Sequence, residues 1–369
     1  MIKGVIIEEI FEQRNEYVNS LREKLNDSNR LYIFGAGRIG LDVYKMLNKW
    51  GISIQGFIDN DQKKWGENIE GNIKCISLSE VGAPQENDVI LLTMAFYDNV
   101  YQQLNALGFE KVYNFSEYKI KYLQLFEDEQ KSKHALTMLR HAIGCFEEEK
   151  SKKIMMEILK NWFNVNIKEL TYPLFKGKLQ YFDCEFVEIN ENEVFLDVGA
   201  YDGDSISSFL SVSNFKFQQI YAFELEKQIY ARLERNIARL PDEVKSKIKA
   251  FNIGLWDKNE NIRYSSLDVG SKIGLDDGEE GKVVALDTFL PDVIPTYIKM
   301  DIEGAEMKAL EGCKNIIKKH KPKLAICVYH EPEDLWQISL FLKKLVPEYK
   351  LYLRHYSNLE YETVCYAVI

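Results

Sequence analysis

Residues 193–205 read EVFLDVGAYDGDS, and this stretch decides the architecture of the C-terminal half of the chain. Val194 to Val198 is an apolar run of strand length, the pattern of a strand buried on both faces. It carries an acid, Asp197, near its end. Gly199 and Gly203 open a turn, and Ser205 begins a helical pattern that lasts to Val212. Glycines at these places let backbone N–H groups approach a nucleotide-like ligand, with the positive end of the next helix aimed at it. Taken alone, an ordinary strand–helix turn is the competing reading. A dinucleotide site would carry a third glycine and no acid in the loop, whereas Tyr201, Asp202 and Asp204 fill this one. The ligand end beside Asp197 is therefore expected to be cationic rather than a pyrophosphate.

The pattern continues outward from this turn. Gln219–Glu224 reads as a second strand with a helix to Leu240, and Ile248–Leu255 as a third. A polar, hairpin-like insert and an apolar run at Lys282–Asp287 follow. Tyr297–Ile302 is a fourth strand with a helix to Lys319, and Leu324–Tyr329 a fifth with a helix to Leu345. Tyr349–Arg354 and Thr363–Ile369 close the chain as a hairpin. Alternating strands and helices imply an α/β domain with a mostly parallel, Rossmann-like sheet, here edged by an antiparallel hairpin. Acids recur at the ends of its strands. Glu224 ends the second, where it can accept both hydroxyls of a ribose. Asp301 ends the fourth, in YIKMDIEGAEMKALEG, and Glu303, Gly304 and Glu306 open the next helix. Glu306 reads as an ordinary partner of the helix dipole. His330 and Glu331 follow the fifth strand; a structural histidine competes evenly with a catalytic one. His355 is the other histidine at a strand end of this domain.

A second unit precedes it. An N-terminal helix carries Ile7, Ile10, Phe11, Val18, Leu21 and Leu25 on one face. Then Leu31–Phe34 leads into GAGRIG and a helix from Ile39 to Trp50, with Asp59 about twenty residues beyond, the spacing of a dinucleotide fingerprint. Gly35, Gly37, Arg38, Gly40 and Asp59 are the candidate contacts of a second nucleotide site. A nucleotide fold without a ligand competes with that reading. Further strands are expected at Ile52–Ile58, Ile73–Ile76, Val89–Thr93 and Lys111–Phe115. The expected boundaries are an N-terminal helix at 1–27, a smaller Rossmann-like domain at 28–117, a helical connector at 118–190 and the C-terminal domain at 191–369.

The 369 residues carry a net charge of −10, which argues against nucleic acid as a partner. The basic cluster Lys314, Lys318, Lys319, Lys321 and Lys323 suits a helix C-terminus instead. No apolar run reaches the ~20 residues of a membrane span, and the N-terminus does not read as a signal peptide. The six cysteines, Cys184 among them, form no CxxC pair and are expected to be reduced, as in a cytoplasmic protein.

From about Gln180 to Ile369 the chain resembles the FkbM family of methyltransferases. The residues that carry the resemblance are QYFD (180–183), FLDVGAYDGDS, AFELE, the strand with Asn252, LDTF (286–289) and, above all, KMDIEGAE. The resemblance implies S-adenosylmethionine (SAM) as cofactor and O-methylation of a small molecule, a sugar, nucleotide sugar or natural-product scaffold. It implies cofactor contacts at Asp197, Gly199, Gly203 and Glu224, in a cradle that takes in Ala200, Tyr201, Asp204, Leu225 and Asn252. It puts Asp301 near the transferred methyl, with Asp301 or His330 as the base. A divalent cation stays open, because Asp301 with Glu331 or His330 could offer hard ligands, but no metal-ligand set is assigned. The stretch from YIFGAGRIG to CISLSE resembles the small Rossmann-like domain in front of bacterial sugar acyltransferases, which implies a nucleotide or nucleotide sugar there. The connector is a candidate for homodimerisation. The alternatives are an NAD(P)-dependent sugar-nucleotide oxidoreductase or epimerase, for which no Tyr-Lys or Cys-His pair is found beside the N-terminal turn, and a non-enzymatic nucleotide-sugar-binding protein.

Overall fold

A computed structural model describes residues 5–94, 96–125, 127–173, 179–182, 186–265, 272–273 and 278–369. Asp183 and Cys184 lie outside the described residues. The chain forms two compact units, Met1–Thr137 with Met156–Tyr172, and Met138–Met155 with Pro173–Ile369.

The first unit holds strands β1 (Arg30–Phe34), β2 (Gly56–Ile58), β3 (Asn68–Glu70), β4 (Ile73–Ile76), β5 (Asp88–Leu92) and β6 (Lys111–Asn114) in the order β3-β4-β2-β1-β5-β6. All pairings are parallel except β3 with β4. The expected strand Ile52–Ile58 is shorter, because Gln55 N–H turns back onto Leu31 O and only Gly56–Ile58 joins the sheet. β3 was not expected; its side chains are mostly exposed, so it carries no hydrophobic pattern. The helix Val5–Asn26 buries Ile7, Val18, Leu21 and Leu25. The helices Glu117–Leu125 and Glu149–Phe163 meet through stacked rings of Tyr122 and Trp162, centroids 4.5 Å apart.

The second unit holds β7 (Val194–Val198), β8 (Gln219–Phe223), β9 (Ile248–Phe251), β10 (Gly254–Leu255), β11 (Glu260–Ser265), β12 (Lys272–Ile273), β13 (Glu279–Val284), β14 (Tyr297–Met300), β15 (Lys323–Cys327), β16 (Lys350–His355) and β17 (Thr363–Val368). Its main sheet runs β16-β17-β15-β14-β7-β8-β9. The strands are parallel except β17, which is antiparallel to both neighbours. The strand order reverses between β7 and β14, and ligands of open α/β sheets bind beyond the carboxyl ends of the strands at such a point.

Two expectations change here. Ile248–Leu255 is two strands, because Asn252 bonds back to the chain after β8 and the run breaks; β10 then pairs with β13. The polar insert becomes a four-stranded sheet, β10-β13-β11-β12. The helix after β14 is likewise two, Glu306–Gly312 and Lys314–His320. The edge strand β16 is covered by residues from the connector: Phe146 bridges to Leu351, Ser151 Oγ accepts Leu353 N–H at 2.9 Å, and buried Arg354 pairs with Glu148. Covering an edge this way blocks pairing with other chains.

Candidate functional site

The turn after β7 is set by contact within the protein. Gly199 has φ +80°, and a Cβ there would lie 1.9 Å from the Asp301 carbonyl oxygen. Room for a ligand is thus not the first reason for this glycine, as the sequence suggested; the backbone leaving β14 fills the space. Gly203, φ +96°, caps the helix Asp204–Val212, with Leu233 at 3.2 Å from its would-be Cβ. Ala200 is buried, while Tyr201 is 40% exposed with its ring near the Arg232 guanidinium. Asp204 is exposed and in the first helical turn, where an acid suits the dipole.

Asp197 lies inside the protein. It is fully buried, its Oδ2 accepts from Ser205 Oγ, and its Oδ1 faces Lys299 Nζ at 3.2 Å. Burial raises its pKa, opposed by Lys299 and Ser205. Asp197 is the counter-ion of an internal lysine, and its expected contact with the cofactor's cationic end stays an expectation. Lys299 Nζ also donates to Gly199 O at 2.6 Å, so one ammonium ties the end of β14 to the glycine turn. The sequence reading missed this residue. The signal was there, a lone lysine inside the apolar run YIKM.

Glu224 ends β8 and faces the turn. Its Oε2 accepts Tyr201 N–H at 3.1 Å and its Oε1 accepts Glu226 N–H at 2.8 Å. Burial pushes its pKa up to about 7, against those two bonds. Asn252 donates to Glu224 O and Leu225 O, both at 2.9 Å, and so shapes the chain beneath the cradle.

Asp301 sits across the switch point. Tyr181 Oη donates to its Oδ2 at 2.9 Å and Tyr329 Oη to its Oδ1 at 3.2 Å, with His330 Nε2 3.4 Å from Oδ1. Burial would raise its pKa, but Lys299, His330 and Tyr181 outweigh burial and hold it below the usual carboxylate value. His330 is 3% exposed, with Nδ1 2.9 Å from Glu306 Oε1 and Nε2 3.6 Å from Glu303 Oε2. Burial would lower its pKa, but Glu306, Asp301 and Glu303 lift it to about 10. Those carboxylates favour the imidazolium, which cannot act as a base, so Asp301 is the better placed of the two candidates. Glu306 is no ordinary dipole partner: fully buried, it accepts Ile302 N–H at 2.8 Å and Gly304 N–H at 3.0 Å. His355 is buried, shares a 2.8 Å hydrogen bond with Thr363 Oγ1, and is kept neutral by burial, with its pKa pushed down to about 4.

Ligand atoms of Asp301, Glu306 and His330 lie within 4.8 Å of one another. The set fits a metal ion poorly. Glu306 already accepts two backbone N–H groups, and His330 lies among Glu306, Asp301 and Glu303, which favour its charged form over the neutral imidazole a metal needs. No metal is assigned.

In the first unit, Gly35 has φ +116°, and a Cβ there would meet Thr93 Oγ1 at 2.4 Å; at Gly40 it would meet Gly35 O at 2.0 Å. Gly37 has open space around it and precedes the helix Arg38–Lys49 with no side-chain cap. Asp59 accepts from Ala36 N–H at 2.9 Å, Asp61 N–H at 2.9 Å and Lys64 at 2.7 Å, while Arg38 pairs with Glu117 at 2.6 Å. The turn is therefore braced by its own domain.

A strand order that reverses beside a glycine turn, with an acid ending the next strand, is a Rossmann-like arrangement, here with the antiparallel β17 set beside β15. Residues 197–359 match the family described as "Methyltransferase FkbM domain". Residues 27–113 match the family "C2185-like, N-terminal". The crystal structure of Methyltransferase FkbM from Methylobacillus flagellatus KT shares 20% identity at a TM-score of 0.69, over 98% of this chain and 100% of that one. Looser matches are precorrin-6y C5,15-methyltransferase from Geobacter metallireducens GS-15 (12% identity, TM-score 0.33, 55% of this chain and 96% of that one) and Aeropyrum pernix fibrillarin with natively bound S-adenosyl-L-methionine (11%, 0.31, 49% and 70%). No curated protein matches. Among the described residues no helix is long and apolar enough to cross a membrane.

Proposed function

We propose that the chain transfers the methyl group of SAM to a hydroxyl of a small, neutral or amine-bearing polyhydroxyl acceptor. The observation that carries this reading is the pairing across the switch point of Glu224, buried and facing the glycine turn, with Asp301, an anchored carboxylate at the end of β14. Glu224 accepts the ribose hydroxyls, and the turn from Gly199 to Gly203 holds the rest of the cofactor. The acceptor hydroxyl donates to Asp301 and attacks the methyl carbon in line with the C–S bond. As the O–C bond forms, the C–S electron pair goes to sulfur and the acceptor oxygen becomes an oxonium. An oxonium is a strong acid, so a weakly basic carboxylate suffices to take its proton. The main work is alignment.

The charge of the site bears on the acceptor. Its cations, Lys299 and His330, are buried, whereas Asp301, Glu303, Glu331 and Glu362 are part-exposed or exposed. Carboxylates around an opening repel phosphate, so a free sugar or amino sugar suits this site better than a nucleotide sugar. The test is transfer of tritium from [methyl-³H]SAM to polyols, amino sugars and UDP-sugars. Loss of a group that acts in the transition state lowers kcat by about 100-fold or more, and that is expected for Asp301→Asn with SAM affinity within about twofold of native. Native turnover in Asp301→Asn, or UDP-sugars as the best acceptors, would overturn the reading.

A further inference from the structure

Among the described residues, eight non-glycine residues have positive φ, and four of them surround this site: Tyr181 (74°), Tyr201 (46°), Glu303 (57°) and Glu362 (68°). Such backbone costs about 1–3 kcal/mol per residue and persists only where the surroundings enforce it. Tyr201 and Glu303 belong to the turns after β7 and β14. Tyr181 comes from the chain before β7, ahead of the family match, and no role has been assigned to it.

It is held at several points. Tyr181 N–H donates to Tyr366 Oη at 3.1 Å, its carbonyl accepts from Tyr297 Oη, and its ring centroid is 5.4 Å from Lys299 Nζ. The phenol oxygen reaches Asp301 Oδ2 at 2.9 Å, with Cys327 Sγ 3.6 Å away. Burial, then the Asp301 charge, keeps the phenol protonated far above its ordinary pKa, so it is a constant donor. Tyr329 holds the other oxygen of the same carboxylate. Two donors on opposite oxygens fix the plane of a group that otherwise rotates freely.

We propose that Tyr181 is a positioning residue of the methyl-transfer site, locking the Asp301 carboxylate in the orientation that receives the acceptor hydroxyl. This rests on the SAM reading above for its first test, and a second test stands without it. The first uses sinefungin, a SAM analogue with an amine where the methylsulfonium stands, against S-adenosylhomocysteine (SAH), which lacks the methyl. An oriented carboxylate beside the methyl position favours sinefungin. In Tyr181→Phe the SAH affinity should stay within about twofold while the preference for sinefungin falls about tenfold, the value of one charge-assisted hydrogen bond. In an Asp301→Asn background the same change should do nothing more. An unchanged preference, or additive effects, would overturn the proposal.

A native protein that binds neither ligand sinks the cofactor reading alone. The second test then decides, by carbon-13 NMR titration of aspartate carboxyls in the ligand-free chain. The groups that face Asp301 are Lys299, Tyr181, Cys327, Tyr329, His330 and Glu362, with Glu303 across His330. Loss of one donor should raise the Asp301 midpoint by about one unit, and no shift overturns the proposal. Should Tyr181→Phe fail to fold, Tyr366→Phe removes the acceptor of the Tyr181 N–H, together with the Tyr356 hydroxyl's partner, and should move both readouts the same way by less. No movement there overturns it as well.

Discussion

At the scale of single residues, the site is a matter of which charges are sealed and which are open. Asp197 pairs with Lys299 inside the protein and His330 with Glu306, while Glu224 and Asp301 are the strand-end acids to which the proposed function gives the ligand contacts. Glu224 has a folded pKa raised from 4.5 to about 7. A raised acid weakens the fold as pH climbs from its unfolded value through its folded one, because the charge forms in a dry place. Ribose hydroxyls donating to that charge reverse the cost. SAH affinity is therefore expected to rise with pH up to about 7 and flatten above it, with proton release on binding. Calorimetry at pH near 6.5 in two buffers of different ionisation heat measures the release. Glu224→Gln should abolish it and weaken SAH about tenfold; release that survives in the mutant assigns the proton elsewhere. Asp197, Glu224 and Asp301 were legible in the sequence because each ends an apolar strand run. Which of them faces a ligand was not, since burial depends on the partner strand. Tyr181 left only the signature QYFD, because its contact with Asp301 crosses 120 residues of chain.

At the scale of elements, long apolar strands showed in the sequence and short polar ones did not. β3 and β11 have exposed or charged faces, so they form by pairing rather than by pattern. Motifs of the same composition also hide different demands. In GAGRIG, Gly40 would place a Cβ 2.0 Å from backbone, whereas Gly37 has nothing within 4 Å. Gly40→Ala should lose about 1–3 kcal/mol in urea unfolding, as overpacked sites do. Gly37→Ala should stay within about 1 kcal/mol, as swaps at helix starts do. Equal losses at both would show that the turn is built differently. The aromatic layer beneath the site offers a second case. Phe182 packs on Phe195, Phe209 and Tyr297 with centroids 5.6–5.7 Å away and adjoins Tyr181. Phe182→Ala is expected to cost about 3–5 kcal/mol, read by the same unfolding curves; a loss below about 1 kcal/mol would mean the segment before β7 is not packed down.

At the scale of the whole molecule, two Rossmann-like sheets share one chain, and only the second carries an assigned chemistry. The fingerprint of the first is braced from within: Asp59 holds Ala36 and Lys64, and Arg38 holds Glu117. The open space at Gly37 is what a nucleotide would use. A thermal-shift screen of NAD, NADP, UDP-sugars and GDP-sugars on the full chain should show a shift that Gly37→Val removes without lowering the ligand-free melting point. Absence of any shift makes this unit a scaffold.

The near-contact of Gly199 with the Asp301 carbonyl has a consequence for redesign. In the proposed function the turn that cradles the methyl donor and the backbone that carries Asp301 meet at one joint of bare backbone, so strand register sets the span between them and the Asp301 orientation sets only the final approach. Reach is therefore fixed, while breadth is adjustable. A search for variants that accept bulkier molecules should leave 199 and 301 untouched and randomise Glu303, Glu331 and Glu362, where the rim can widen while the stroke of the reaction keeps its length.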